Sequence, residues 1–491
     1  MGQSKETGSA SVQKNTVYNT IKTISSIIYP LITFPYVSRV LGTENVGKVN
    51  FSSSYVSYFS LITTLGITSY AIRECSLVKN DKKELEKTSS QIYSINVCMA
   101  AIAYIVLVLS IILVPKLSGY RTLILIQSLG IIFTVIGTDW LNTAMEDFRF
   151  IAIRTASFQI LALAFMFIFV RSRQHYHAYA ITAIIASSGA YIANVFYRNK
   201  YCMVRFTTHM EWRKHIRPIV TMVMMILAQH ILSNLDITML GVIKDDTAVG
   251  LYTTAVYLIN FITLLASAIT AVVMPQMSKA FDEGDSDSIG RLFRYTASFT
   301  LVVGLPCFAG LCMMPEEIVT LIGGAEYLPS AGAVRILSFS MMFWLVGNVF
   351  GNVILISAKR EKQFMKACMA GMILNAVTNF FLIPPLGIYG AAITTAVANI
   401  VIMVISMIGT PKEIRLHNAS KIFNGPIAGT ILVFVICIVS KALIENAIVR
   451  LIIAMAISGV VYLVTLIAVK DEFTQSTIIP VLDKVLKLRR K

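Results

Sequence analysis

About fourteen apolar runs of roughly twenty residues follow one another along this 491-residue chain, each long enough to cross a bilayer as one helix. They fall at roughly 16–38, 47–72, 91–114, 122–143, 151–170, 177–197, 217–241, 250–277, 292–314, 333–357, 364–384, 388–409, 424–441 and 448–469. In hydrocarbon a backbone N–H has no water to bond, so segments of this length must satisfy themselves internally as helices. The expected fold is therefore an all-α polytopic membrane protein with about 14 transmembrane helices. Its 14 % of charged residues supports this, because soluble domains carry about a quarter. The first two runs and the eighth are polar for membrane helices. The opening MGQSKETGSASVQKN has no apolar stretch, so no cleaved leader is expected.

A net charge of +16 would suit nucleic acid, but its distribution points elsewhere. With the amino terminus inside, the inward loops hold 31 of the 42 Lys and Arg, the outward loops hold ten, and Lys22 lies within a span. Short loops with this bias orient a membrane protein with its basic side in the cytoplasm. An even number of spans puts both termini there. The basic clusters Arg73–Lys87, Arg198–Arg217, Lys359–Lys366 and Lys470–Lys491 suit anionic lipid headgroups, so membrane lipids are expected partners and nucleic acid is not. Seven scattered cysteines without a C-x-x-C give neither a zinc site nor a disulfide framework.

The chain also repeats itself. Residues 40–51 read VLGTENVGKVNF and residues 239–254 read MLGVIKDDTAVGLYTT. The Leu-Gly pairs, Leu41 and Leu240, lie 199 positions apart, and the Val-Gly pairs, Val46 and Val249, lie 203 apart. Later landmarks keep the order: AYAIT at 178–182 answers GAAIT at 390–394, and TAMEDFRF at 143–150 answers SAKREKQF at 357–364. Six spans per copy make parallel repeats about an axis along the membrane normal. The expected organisation is an N-terminal tail 1–14, an N-lobe 15–213 (helices 1–6), a C-lobe 214–421 (helices 7–12), an appended helix pair 422–469 (helices 13–14), and a basic tail 470–491. In that tail Ile478, Leu482, Val485 and Leu486 share one helical face, which suits an amphipathic segment along the inner leaflet; a frayed basic tail is the alternative. Two similar halves around one pathway suggest a transporter.

The segments FPYVSRVLGTENVGKVNF (34–51), LGITSYAIRE (65–74), GTDWLNTAMEDFRFIAIR (137–154) and LGIYGAAITTAVAN (386–399) make the chain resemble the polysaccharide-export flippases of the multidrug/oligosaccharidyl-lipid/polysaccharide exporter superfamily. The resemblance runs over essentially the whole chain. It implies helices in two lobes around a cationic central cavity, opening alternately to each side of the bacterial plasma membrane. It further implies a lipid-linked (polyprenyl-pyrophosphate) oligosaccharide repeat unit as cargo, with a polysaccharide polymerase or glycosyltransferases as partners. In the third motif many relatives have Gln and Gly where this chain has Asn142 and Ala144.

Moving a phosphate-bearing glycan headgroup requires cations for phosphate and hydroxyls, amides or aromatic faces for sugar. On span two, Ser53, Ser57, Ser60, Thr64 and Thr68 recur at helical spacing beside Tyr55 and Tyr58. Span eight supplies Tyr257 and Asn260 at the positions of Ser54 and Ser57. Close helix packing through small residues is the competing reading of these hydroxyls. Lys22 lies inside span one, where a cation either marks the pathway or snorkels to the headgroups. Arg39 lies about 25 Å of helix further on, at the opposite leaflet. Pro30 and Pro35 between them should bend the helix. Arg73 and Arg154 close and open spans on the inward side, where guanidinium forks suit phosphate, although topology alone also puts Arg there. Arg335 stands at an outward helix end, where cations are scarce. His230 and Asp236 on span seven are the ion-coupling candidates, since a buried Asp near a His can exchange a proton or a sodium ion. Asp139 and Glu146 are expected to pair with Arg149 or Arg154.

Three functions follow. The leading one is a flippase working by alternating access, with H+ or Na+ coupling. The alternative is an ion-coupled multidrug or solute antiporter, which would want acids in its cavity. An enzyme is not expected: only His230 of six histidines lies in a span, no H-E-x-x-H or G-x-S-x-G occurs, and His175 with His177 is a poor metal pair. No cofactor or metal is expected.

Overall fold

The computed structural model describes residues 3–64, 66–208, 211–411, 419–471 and 473–480. Every apolar run lands on helix. In chain order these are α1 (Gln3–Thr64), α2 (Ile67–Leu77), α3 (Lys82–Leu113), α4 (Arg121–Gly137), α5 (Asp139–Ala144), α6 (Phe148–Phe169), α7 (Tyr176–Ile184) and α8 (Ala190–Tyr197). They continue as α9 (Trp212–Ile243), α10 (Asp246–Glu283), α11 (Ser286–Met313), α12 (Pro315–Gly323), α13 (Ala331–Asn348), α14 (Glu361–Leu386), α15 (Ile388–Gly409), α16 (Ala419–Leu443) and α17 (Ala447–Ala468). Among the described residues, twelve helical stretches have the length and composition to cross a membrane, the first of them Lys22–Leu77 at 56 residues. That stretch holds the first two expected spans, and α9 holds the seventh. Of the amphipathic segment expected in the tail, Ile478 ends a short π-helical turn (Thr474–Ile478), and Leu482, Val485 and Leu486 lie outside the described residues.

Local sequence explains the breaks. Gly42 interrupts α1 with φ 74° and ψ 175°, a conformation that glycine reaches without a Cβ clash. The break falls at the repeated Leu-Gly; Pro30 and Pro35 lie inside the helix before it. Asp81 starts α3 by accepting the N–H groups of Lys83 and Glu84. Asp147 caps α6 on the Phe150 N–H, and Asn446 caps α17 on Ile448 and Val449.

The repeat is visible in the backbone. A six-residue 3-10 turn precedes both α4 (Pro115–Tyr120) and α13 (Ala325–Ser330). Helix starts recur with the expected slow drift: Lys82 and Ser286 are 204 apart, Arg121 and Ala331 are 210, and Phe148 and Glu361 are 213. The two short charged turns each contain one residue with positive φ, Glu146 at 58° and Lys359 at 59°, again 213 apart. The step from 204 to 210 arises at α12, a short helix that the first copy lacks.

The chain forms two compact units, residues 1–250 and 251–491. The sequence boundary at 213/214 gave the seventh span to the second half; here α9 belongs to the first unit. The reason is local. The α9 residues Asn234, Thr238 and Gly241 are matched by Ser54, Tyr58 and Phe51 of α1. In the second unit α16 and α17 pack on α11 around Val302, Ala309, Val433, Cys437, Leu451 and Tyr462.

Candidate functional site

The two copies of the repeated phrase meet inside the first unit. A Cβ on Gly47 would lie 1.7 Å from the Asp246 carbonyl oxygen, and one on Gly250 would lie 2.0 Å from the Thr43 carbonyl oxygen. Gly47 corresponds to Gly250, and Thr43 to Asp246, by one shift of 203 residues. The contact is therefore reciprocal: each copy's glycine lies on the other copy's carbonyl. Only hydrogen fits there, which explains both Val-Gly pairs. Leu41, Leu240, Val46 and Val249 are buried around the crossing. Gly241 is pressed on the Phe51 ring, where a Cβ would come within 2.2 Å.

A polar seam runs from the crossing between α1 and α9. The Ser54 hydroxyl donates to the Asn234 carbonyl at 3.0 Å and meets the Thr238 hydroxyl at 2.9 Å, while the Tyr58 hydroxyl reaches the same Thr238 oxygen at 3.1 Å. Asn234 Nδ2 donates to the His230 carbonyl at 3.0 Å and lies 3.4 Å from the ring Nδ1. His230, Asn234 and Thr238 follow at four-residue steps and so share one helical face. Asp236, only 4 % exposed, lies about 200° around the helix from Asn234. Asn234, not Asp236, is thus the side-chain neighbour of His230. Ser57 turns back to donate to the Ser54 carbonyl at 2.6 Å.

The candidate cations have different surroundings. Lys22 is half-buried and, among the described residues, makes no ion pair. Arg39 is exposed. Arg73 is ion-paired with the adjacent Glu74 at 2.9 Å, over the Tyr70 ring. Arg154 is an interior residue, 5 % exposed. It bonds Asp139 at 2.9 Å and the Asn194 side-chain oxygen, and its guanidinium lies over the Phe150 and Tyr191 rings. Asp139 therefore pairs with Arg154 as expected, whereas Glu146 pairs with Lys79 at 2.8 Å.

At the end of α5, Asp147 is held by donors. The hydroxyls of Tyr197 and Tyr201 reach its Oδ2 at 2.7 and 2.6 Å, and Lys200 lies 3.7 Å away. Partial burial pushes its pKa up, but the Tyr201 and Tyr197 hydroxyls, the Phe150 N–H and Lys200 together bring it below the usual carboxylate value.

In the second unit, Tyr257 is half-buried and Asn260 exposed, and the Asn260 carbonyl accepts the Thr263 hydroxyl at 3.0 Å. Arg335 bonds the Cys312 carbonyl at 3.0 Å and Glu316 at 2.9 Å. Lys441 and Arg450 join the same acidic pair, Arg450 reaching Glu317 at 3.4 Å. Arg335 thus belongs to a network that ties α12 and α13 to the appended helices. Sequence reasoning missed a buried chain here: Asn379 Nδ2 donates to Asn375 Oδ1 at 3.0 Å, and the Thr394 hydroxyl donates to Asn379 Oδ1 at 2.5 Å. The available signal was two Asn at a four-residue spacing within an apolar span.

Membrane-crossing helices in two compact units, with a reciprocal glycine contact and a polar seam inside the first unit, define a multi-pass membrane protein of duplicated sequence design. A model of the family described as polysaccharide biosynthesis protein matches residues 12–281, and one described as MatE matches residues 221–381. The chain belongs to the polysaccharide biosynthesis protein family. Capsular polysaccharide biosynthesis protein CapF of Staphylococcus aureus is 22 % identical over 399 residues, covering 80 % of this chain and 97 % of that protein. An uncharacterised membrane protein of Methanocaldococcus jannaschii is 29 % identical over 204 residues; the match spans 42 % of this chain and 39 % of that protein's length. The fold is similar to that of a solved structure of the lipid II flippase MurJ, one in an inward-closed conformation, with a TM-score of 0.73 at 14 % identity, covering 94 % of this chain and 99 % of that one.

Proposed function

We propose that this protein is a flippase for lipid-linked oligosaccharide repeat units of a surface polysaccharide. It carries the polyprenyl-pyrophosphate headgroup across the bacterial plasma membrane by alternating access, with both termini in the cytoplasm. The observation that carries the reading, given the family, is the seam of Ser54, Tyr58, Thr238, Asn234 and His230 within membrane-crossing helices. Hydroxyls and amides are costly in hydrocarbon and suit a cargo of sugar hydroxyls. Lys22 supplies the charge for phosphate, because Arg73, Arg154 and Arg335 already hold carboxylates. The lipid tail stays in the bilayer throughout, and no covalent step is needed. Asp236, buried on α9, couples the cycle to a proton or a sodium ion. A polymerase or glycosyltransferase consumes the delivered units.

Deletion of the gene, followed by mass spectrometry of the lipid fraction, tests this. A lipid-linked oligosaccharide should accumulate with its glycan facing the cytoplasm. Lys22→Gln should reproduce the accumulation, and Lys22→Arg should relieve it. The MatE match over residues 221–381 favours a second reading, an ion-coupled solute antiporter. Increased drug sensitivity without any accumulated glycolipid would establish that reading and refute the first.

A further inference from the structure

On the Lys- and Arg-rich side, residues 202–207 run along α3 without helix. Arg205 N–H donates to Ser90 Oγ at 3.2 Å and Thr207 N–H to Ser94 Oγ at 2.7 Å. Two residues of extended chain advance about 6.7 Å and four of helix about 6 Å, so the two ladders stay in register. Ser94 in turn donates to the Ser90 carbonyl at 2.8 Å, and Ser89 Oγ meets Cys202 Sγ at 3.4 Å. Cys202 and Val204 point into the core formed with Trp140, Leu85 and Ile92. The alternation therefore turns Met203 and Arg205 outward. Met203 is 49 % exposed, and Phe206, where the alternation ends, is 54 % exposed.

Between this segment and α3 lies an open cleft of about 480 Å³. Lys83, Lys87 and Arg205 line it, with Ser90, Thr207 and one acid, Glu86. Lys87 is shared with Glu211 at 3.4 Å. Among the described residues, Lys83 and Arg205 form no ion pair, and the Arg205 guanidinium meets only Met203 Sδ, at 3.0 Å. The apolar run of α3 starts near Gln91, so Lys87 lies about 6 Å and Lys83 about 12 Å of helix outside it. That is the depth of lipid headgroups.

We infer that this cleft binds the headgroup of an anionic glycerophospholipid, with Met203 and Phe206 set against its acyl chains. Three cations against Glu86 and Glu211, with Lys83 and Arg205 in no ion pair among the described residues, leave the cleft net positive and select negative charge. The exposed Met and Phe select a lipid over a soluble anion, which would gain nothing from them. The serine ladder fixes the Arg205 backbone, so the site is formed before the lipid arrives. It is separate from the α1–α9 seam and does not depend on which glycan is carried.

The test is native mass spectrometry of the full-length protein in detergent, titrated with phosphatidylglycerol or phosphatidylcholine. Wild type should hold phosphatidylglycerol more tightly. Lys83→Gln with Arg205→Gln should weaken the tightest phosphatidylglycerol site about 30-fold, from about one interfacial charge interaction per side chain. Lys279→Gln with Arg291→Gln, in another open cleft, should change it less than twofold. Equal retention of both lipids by wild type, or no loss in the Lys83/Arg205 variant, overturns the assignment. So does displacement of the lipid by 10 mM inorganic phosphate (roughly a soluble-anion regime), which would mark a soluble-anion site. If that variant does not fold, a photoactivatable phosphatidylglycerol on wild type decides: adducts should map to 203–206, and adducts confined to other segments refute the site.

Discussion

Alanine at Gly47 or Gly250 tests the reciprocal crossing directly. A Cβ at Gly47 starts 1.7 Å from the Asp246 carbonyl oxygen, and one at Gly250 starts 2.0 Å from that of Thr43. Ordinary contact needs about 3.5 Å, so either substitution must part the two backbones by about 1.5–2 Å. A gap of 0.5–1 Å already forfeits a quarter to a half of a contact's attraction. Leu41, Leu240, Val46 and Val249 surround the crossing and would all lose contacts. In lipid such packing, rather than water exclusion, holds helices together. The expected cost is about 2–3 kcal/mol for either single variant. The double variant should cost little more than one alone, because the separation that admits the first methyl also admits the second. The coupling energy is then about 2 kcal/mol, well above the scatter for independent sites. Unfolding in mixed micelles by SDS titration, on wild type, both singles and the double, measures it. Additive costs, or single variants within about 0.5 kcal/mol of wild type, would refute the reciprocal geometry.

Arg154→Ala should destabilise the protein by about 3 kcal/mol in the same titration, because it strands Asp139 beside the interior position that its partner leaves. Asn379→Ala leaves the Asn375 amide oxygen without its donor and should cost about 1–3 kcal/mol, whereas Asn260→Ala, on the exposed part of α10, should be near neutral. Asp147 gives a pH signature. Its folded pKa lies below the unfolded value of about 3.9, so its contribution is full above that value and is lost as pH falls through the folded pKa. Wild type should therefore lose melting temperature on acidification more steeply than Asp147→Asn below about pH 4; parallel curves would remove Asp147 from the account.

The period of the duplication was legible because it is written in constraints on the backbone. Leu-Gly and Val-Gly mark positions where a Cβ or a helical φ is forbidden, and those constraints survive divergence. The charged turns at 143–150 and 357–364 share little sequence, yet each needs one left-handed residue, and each has one. The fates of the polar side chains were far less legible. Ser54 and Tyr58 find their partners about 180 positions away on α9, and no local pattern encodes that distance. The same holds for Arg154, whose place at a helix end suggested a surface but whose neighbour α8 covers it through Asn194. Repeat order and packing answer different questions about α9: order counts it as the seventh helix, the start of the second copy, whereas its packing sets it in the first compact unit.

These differences follow from what each position must do. At Gly47 and Gly250 the requirement is mutual and atomic, since each backbone occupies the volume that the other's side chain would need. Neither copy can drift without the other, so the pair stays alike. Side chains beyond the crossing bear no such reciprocal constraint. Shifted by 199 residues, Arg39 corresponds to Thr238, and the two share no chemistry. Arg39 is an exposed cation, whereas Thr238 is the oxygen on which Ser54 and Tyr58 converge. Thus one copy carries charge at this position and the other hydrogen-bonding capacity. Under the flippase function proposed above, phosphate and sugar in one cargo would call for this division of labour. A duplicated scaffold supplies it without disturbing the contact on which both copies rest.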